Sequence, residues 1–295
     1  MKAKKKKCRT DFLYPKYLLL PVILIFVVFF IIPVIGGCFI SLTNWDITRS
    51  GVRFIGLDNY TSIVQDSSFK KSVVNTLIFA VSIVVSRNVL ALLLAMIFSK
   101  GLKTRTYLRT IFYIPAILSY VVVGIMFNAL FQMDGTVNQI LNFFGIMCRK
   151  EWVASADTAL FTVIVEDIWK WTGFHMMIYI AGLAAIPQDF YEASRIDGAS
   201  SWKQFRYLTL PLLIPALTVN ITQSIIGGFR VFEQVLTLTK GGPGHESTVV
   251  GMMIYEYFGR GFYGKATAIT MLLSVVVVFV TIFVRRFFES KEVSY

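Results

Sequence analysis

Polar and apolar positions along this 295-residue chain alternate in long blocks. Six apolar stretches, at residues 17–42, 73–98, 110–131, 159–181, 210–232 and 267–284, are separated by polar segments. About 20 helical residues cross the roughly 30 Å of hydrocarbon in a bilayer. In lipid every backbone N–H and C=O must be satisfied within its own segment, so the blocks predict helices. Barrel strands would be about half as long and would alternate with period two. The pattern therefore predicts an all-α integral membrane protein with six transmembrane helices in one domain, 17–284. A basic segment, 1–16, precedes it and a tail, 285–295, follows.

Composition agrees, since 56% hydrophobic and 16% charged residues are too apolar for a soluble domain of this length. With the N-terminus placed inside, 17 of the 29 Lys and Arg fall in inner segments and 10 in outer ones, and the run Lys4–Lys7 decides the bias. This predicts N-in, C-in topology and puts the 182–209 loop in the cytoplasm. The net charge of +12 is then a topology signal and a contact with anionic lipid. No zinc-finger, RNA-binding or helix-turn-helix pattern accompanies it, so nucleic acid is not expected as a partner. Cys8, Cys38 and Cys148 are odd in number and far apart, which excludes a disulfide framework or metal-ligand spacing. Ile35–Gly36–Gly37–Cys38 resembles a lipoprotein cleavage box, but a spanning helix with a Gly pair explains the same residues. The apolar run before it is too long for an ordinary signal peptide.

Chemistry inside the blocks is sparse. In the fifth, Ala216, Asn220, Gln223, Ser224, Gly227 and Arg230 recur every three or four residues and share one helix face. Two readings fit: interhelical contact through small and polar residues, or the wall of a wet pathway. Gly227–Gly228 would loosen the helix at mid-passage. In the fourth block, Glu166 and Lys170 sit at i and i+4 and are expected to neutralise each other. Arg87, alone in the second block, is expected to pair with Glu166 or Asp167. Among the outer loops, 43–72 predicts a short helix at 59–64 capped by Asp58, and 132–158 carries interfacial aromatics such as Trp152. Gly259 to Lys265 nearly matches a phosphate-binding loop. It lacks the Ser or Thr directly after the Lys, and no strand precedes it. No catalytic or metal-binding constellation emerges.

The polar island between the fourth and fifth blocks is the most informative segment. Pro187 suits a helix's first turn, and Asp189 with Glu192 has capping-box spacing. A helix at 190–196 should stop at Gly198. Ser200 or Ser201 would cap a second helix carrying Trp202 and Phe205 toward Pro211 and Pro215. The residues Glu192–Ala193–Ser194, three residues further Gly198, and then Leu208–Thr209–Leu210–Pro211 resemble the coupling loop of permease subunits of binding-protein-dependent ABC importers. That loop reads Glu-Ala-Ala, three residues, Gly, nine residues, Ile-x-Leu-Pro; Ser194 and Leu208 are mild departures. Ser41–Asp46, Phe54–Tyr60, Ala181–Pro187 and Gly241–Gly244 with Thr248 are similar to the carbohydrate-uptake branch, of maltose, glycerol-phosphate and oligosaccharide type.

The resemblance implies an ABC importer permease fold in which a cytoplasmic coupling helix engages an ATPase. Glu192, Ala193, Ser194, Asp197, Gly198, Leu210 and Pro211 would form that contact. The implied partners are a second homologous permease, two ATPase subunits that carry the ATP and Mg, an extracellular sugar-binding protein, and membrane lipid. No cofactor is expected on this chain. By similarity, Gly173, Met176, Ser224 and Gly228 belong to the sugar pathway, and the polar stripe adds Asn220, Gln223 and Arg230. Trp169, Trp171 and Tyr179 are aromatic candidates. A non-sugar solute such as glycerol phosphate, or a stand-alone secondary transporter, are the alternatives.

Overall fold

The computed structural model describes residues 19–47, 51–99, 104–147 and 149–291. The basic segment 1–16, with Cys8, and also Arg49, Lys100, Lys103 and Cys148, lie outside them. The described residues are overwhelmingly helical, with one isolated bridge between Thr43 and Phe54.

Three helices are long and apolar enough to cross a membrane: α1 (Leu20–Ser41), α3 (Ser67–Ser99) and α13 (Tyr263–Glu289). The short α2 (Asp58–Gln65) precedes α3. Two further candidates are bent pairs. The third block is α4 (Arg105–Ile117) and α5 (Tyr120–Leu130), meeting at 101°, and the fifth is α9 (Ser201–Leu212) and α10 (Ile214–Phe229), meeting at 68°. Counting each pair as one span gives five. Between them, in chain order, come α6 (Thr136–Phe143), α7 (Ala159–Ala185) and α8 (Gln188–Ile196). After α10 the chain forms α11 (Glu233–Leu238) and α12 (Val250–Gly259). With 27 residues α7 has the length of a span, and it carries Glu166, Asp167 and Lys170. All three are buried, because α3, α4 and α10 pack around α7. A charge costs most when it faces lipid, and this helix turns its charges toward protein.

The breaks have local causes. Pro115 lies in the last turn of α4 and lacks an N–H; Leu118 and Ser119 then turn extended, and Ser119 Oγ accepts from Val122 N at 3.4 Å to open α5. Pro211 and Pro215 flank the bend at Leu213. Two expectations about caps change. Asp58 is the first residue of α2 and caps nothing with its side chain. Pro187 sits at the N-cap of α8, one place earlier than expected, so no capping box forms around Asp189 and Glu192. Ser200, rather than Ser201, caps α9 through Lys203 N at 3.4 Å.

Two apolar cores stack along α3. One gathers Phe79 and Ile83 with Val123, Phe127, Val163 and Val235. The other gathers Ala91, Ala95 and Phe98 with Met176, Tyr179 and Leu213. Small residues permit close approach: a Cβ on Gly228 would lie 2.8 Å from the Ala80 Cα, and one on Gly182 would meet Ala216 Cβ at 2.6 Å. By contrast, α1 packs chiefly on α13 and leaves nearly all of its large apolar side chains exposed. Its Cys38 is exposed, with Sγ 3.6 Å from Met271 Sδ. Gly259 to Lys265 joins two helices, α12 and α13, through Gly261 at φ +83°. That is not the strand-to-helix setting of a phosphate loop.

Candidate functional site

A polar layer lies between the two cores, at the height of Arg87 and Asn88 on α3. Arg87 pairs with Asp167 of α7, and both side chains are almost fully buried. Arg87 Nη1 also approaches His175 Nε2 at 3.5 Å. A guanidinium only donates, so Nε2 accepts and the imidazole carries its proton on Nδ1. That proton is donated to Asn220 Oδ1 at 2.7 Å, while Asn220 Nδ2 donates to the His175 carbonyl at 3.2 Å. Asn88 Nδ2 donates to Ser224 Oγ at 3.1 Å, and Tyr179 OH donates to Asn88 Oδ1 at 2.6 Å. Gln234 of α11 donates to both Asp167 Oδ2 (2.8 Å) and the Tyr120 hydroxyl oxygen (3.0 Å). Trp171 Nε1 donates to the same oxygen at 2.7 Å. These bonds tie α3, α5, α7, α10 and α11 into one network.

The network forms the floor of a cleft of about 490 Å³. Aromatic rings of Tyr120, Trp171, Phe174 and Phe232 line it, together with Gln223, Arg230 and Glu233. The side chains of these last three make no hydrogen bond or ion pair among the described residues. Aromatic faces beside free donors and acceptors suit a polyhydroxylated ligand.

The polar stripe of the fifth block therefore divides. Gln223, Gly227 and Arg230 line the cleft. Ala216, Asn220, Ser224 and Gly228 are buried in helix contacts. Gly173 and Met176 are buried too and do not line it: Gly173 lies where a Cβ would overlap the Phe112 carbonyl, and Met176 packs in the second core. Of the aromatic candidates, Trp171 reaches the cleft, Trp169 meets Phe127 in a tilted contact at 5.4 Å and Tyr179 is fully buried. Arg87 finds Asp167, as one of its two expected partners. Glu166 and Lys170 form no ion pair: Lys170 Nζ reaches carbonyls of the α4–α5 break. Both Glu166 carboxylate oxygens are buried without a hydrogen bond among the described residues. Tyr120, Phe174, Phe232, Glu233 and Gln234 escaped the sequence reading. Tyr120, Phe232, Glu233 and Gln234 carry no periodic mark, because the break before α5 and the turn before α11 re-aim those segments, and Phe174 reads as one more apolar residue of α7.

At the α8 end of the bundle, α8 buries none of its residues. Glu192, Ala193, Asp197 and Gly198 are exposed, and Ser194, half-buried, spends its hydroxyl on the Tyr191 carbonyl at 2.8 Å. Gly198 has φ +74°, and Ile196 beside it is 88% exposed. Tyr191 OH meets Thr209 Oγ1 at 3.1 Å, which fastens α8 to α9 just before Leu210 and Pro211. The helix is thus exposed along its length except at Tyr191 and Ser194, which are half-buried, and it is tied to α9.

Fold and site together define a helical membrane transport subunit: a polar cleft among spanning helices, and an exposed helix at one end. The family model "Binding-protein-dependent transport system inner membrane component" matches residues 87–291, and the chain belongs to that family. It is 33% identical over 280 residues, 94% of each chain, to a probable starch degradation products transport system permease protein of Thermoanaerobacterium thermosulfurigenes. It is 36% identical over 267 residues, 90% of each chain, to the trehalose/maltose transport system permease protein of Thermococcus litoralis. Among solved structures, a bacterial ABC transporter importing the acidic polysaccharide alginate matches with TM-score 0.81 and 25% identity, covering 96% of both chains.

Proposed function

We propose that this chain is a permease subunit of an ATP-driven oligosaccharide importer in a bacterial-type inner membrane. Six spans, N-in and C-in, make one domain over 17–284, with α7 as the span whose charges are shielded by its neighbours. The cleft lined by Tyr120, Trp171 and Phe232 with Gln223 and Arg230 is this chain's half of the sugar path. That lining is the observation that carries the reading, and the sugar permeases among the relatives support it. The α8 segment, with Glu192, Ala193, Ser194, Asp197, Gly198, Leu210 and Pro211, couples the path to ATPase subunits. ATP and Mg belong to those subunits, and this chain is a pore component without catalysis of its own. A second permease completes the path. An extracellular binding protein delivers the sugar, as in the solved alginate transporter complexed with a pentasaccharide-bound periplasmic protein. Closure of the ATPase pair would move α8 and rock the bundle between two states of different sugar affinity.

The test is reconstitution in liposomes with the second permease, the ATPases and the binding protein, scored by uptake of labelled malto-oligosaccharides and of glycerol phosphate. Sugar uptake that requires ATP and the binding protein is expected. Uptake by the purified chain without ATPase, or uptake of glycerol phosphate alone, overturns the assignment.

A further inference from the structure

Breaking a spanning helix strands backbone carbonyls in a medium that offers them no water. The α4–α5 break answers this with a side chain from α7. Lys170, 2% exposed, donates to the carbonyls of Pro115 (3.2 Å), Ala116 (3.4 Å) and Leu118. An ammonium has three protons, and all three are used. Pro115 and Ala116 lie in the last turn of α4, the negative end of its dipole, and Leu118 is its extended C-cap; the Pro115 carbonyl also accepts from Leu118 N at 3.3 Å. The same nitrogen lies 4.8 Å from the centroid of the Tyr120 ring and 5.6 Å from that of Trp171, within the range of cation–π attraction. One turn further along, Gly173 lets the Phe112 backbone sit directly on α7. That approach brings the carbonyls within reach of Lys170.

We propose that the Lys170 ammonium is a tethered cation that latches the broken span at 101° and so positions the Tyr120–Trp171 pair on the cleft wall. Its chemistry is that of a bound monovalent cation held by carbonyls of an unwound helix; here the chain supplies the cation itself. Lys170 does not reach the cleft and is a positioning residue. Its hold on the break fixes where α5 starts, and Tyr120 is the first residue of α5. The Trp171 Nε1–H donated to the Tyr120 hydroxyl oxygen at 2.7 Å then ties the two side chains together. The positioning claim rests on the cleft being the sugar path; the latch itself does not.

The experiment uses the full chain in its assembled transporter, with the three native cysteines replaced by Ser and spin labels at Tyr107 and Ile125. These are exposed residues on α4 and α5. Wild type should give one narrow interspin distance. Lys170→Ala should broaden it and raise the sugar KM about tenfold or more, with kcat less affected. Added methylammonium, which can donate to carbonyls, should restore both. Tetramethylammonium, a cation without donors, should restore neither. A narrow distance in Lys170→Ala overturns the latch, and so does equal rescue by the two cations. A broadened distance with unchanged KM overturns the positioning role alone. The distance measurement needs no sugar, so a wrong substrate assignment leaves the latch result readable. If Lys170→Ala fails to assemble, Lys170→Arg and Lys170→Met decide. Arg keeps the cation and donors and should preserve the narrow distance; equal broadening in both variants refutes the proposal.

Discussion

The Arg87–Asp167 pair offers the sharpest stability test, because both partners are nearly inaccessible and one also anchors Gln234. Asp167→Leu leaves a buried guanidinium, beside His175 and Gly227 of α10, without its anion. Removing one member of a buried ion pair costs about 3–5 kcal/mol. Gln234 also loses its carboxylate acceptor, adding about 1 kcal/mol. Arg87→Met strands Asp167 in the same way, though Gln234 still donates to it and softens the cost to about 3 kcal/mol. The double variant removes both charges and fills the space with apolar volume, so it should recover most of the loss, to within about 1–2 kcal/mol of wild type. The cycle therefore has a coupling energy of several kcal/mol. Each single variant should lower the apparent melting temperature of the detergent-purified protein by on the order of 5–10 °C, read as the monodisperse fraction surviving graded heating. Additive losses in the double variant, or single variants within about 1 °C of wild type, would refute the reasoning.

Glu192→Lys reverses the charge of an exposed position on α8, so assembly and thermal stability should hold while sugar-dependent uptake and ATP hydrolysis fall by about tenfold or more; unchanged uptake would remove Glu192 from the coupling contact. Gly198→Val places a β-branched residue at φ +74°, costing about 1–2 kcal/mol locally; loss of ATPase association in pull-down with an intact bundle is the expected result. Gly228→Val meets the Ala80 backbone at 2.8 Å, and overpacking of about 1–3 kcal/mol should separate α10 from α3, seen as loss of folded protein on size exclusion. Gln223→Ala, on the cleft and without a partner, should leave stability within about 0.5 kcal/mol and raise the sugar KM several-fold; an unchanged KM would take Gln223 off the sugar path.

How much of this was legible in the sequence depended on whether a feature was local. The six apolar blocks mark helical segments because a bilayer demands length and apolarity of each segment separately, and five of them qualify as straight or bent spans. The exposed α8 with its turn at Gly198 was equally readable, since proline, glycine and the polar run act within a few residues. The family resemblance came from that loop, and the carbohydrate branch from the short motifs at 41–46, 54–60, 181–187 and 241–248.

The tertiary structure decided what depends on distant neighbours. Periodicity put Asn220, Gln223, Ser224 and Arg230 on one face, but packing against α7 buries Asn220, packing against α3 buries Ser224, and Gln223 and Arg230 are left on the cleft. Spacing favoured a Glu166–Lys170 pair. The ammonium went instead to carbonyls of the α4–α5 break, more than 50 positions earlier in the chain; those of Ala116 and Leu118 are open to it because the helix breaks there. Tyr120, Phe232 and Gln234 carry no local mark; the turns preceding them aim them at the cleft. A membrane constrains each segment's composition directly, so the segments can be read one at a time. Which polar group meets which depends on helix approach, set by small residues such as Gly173 and Gly228 acting across the bundle.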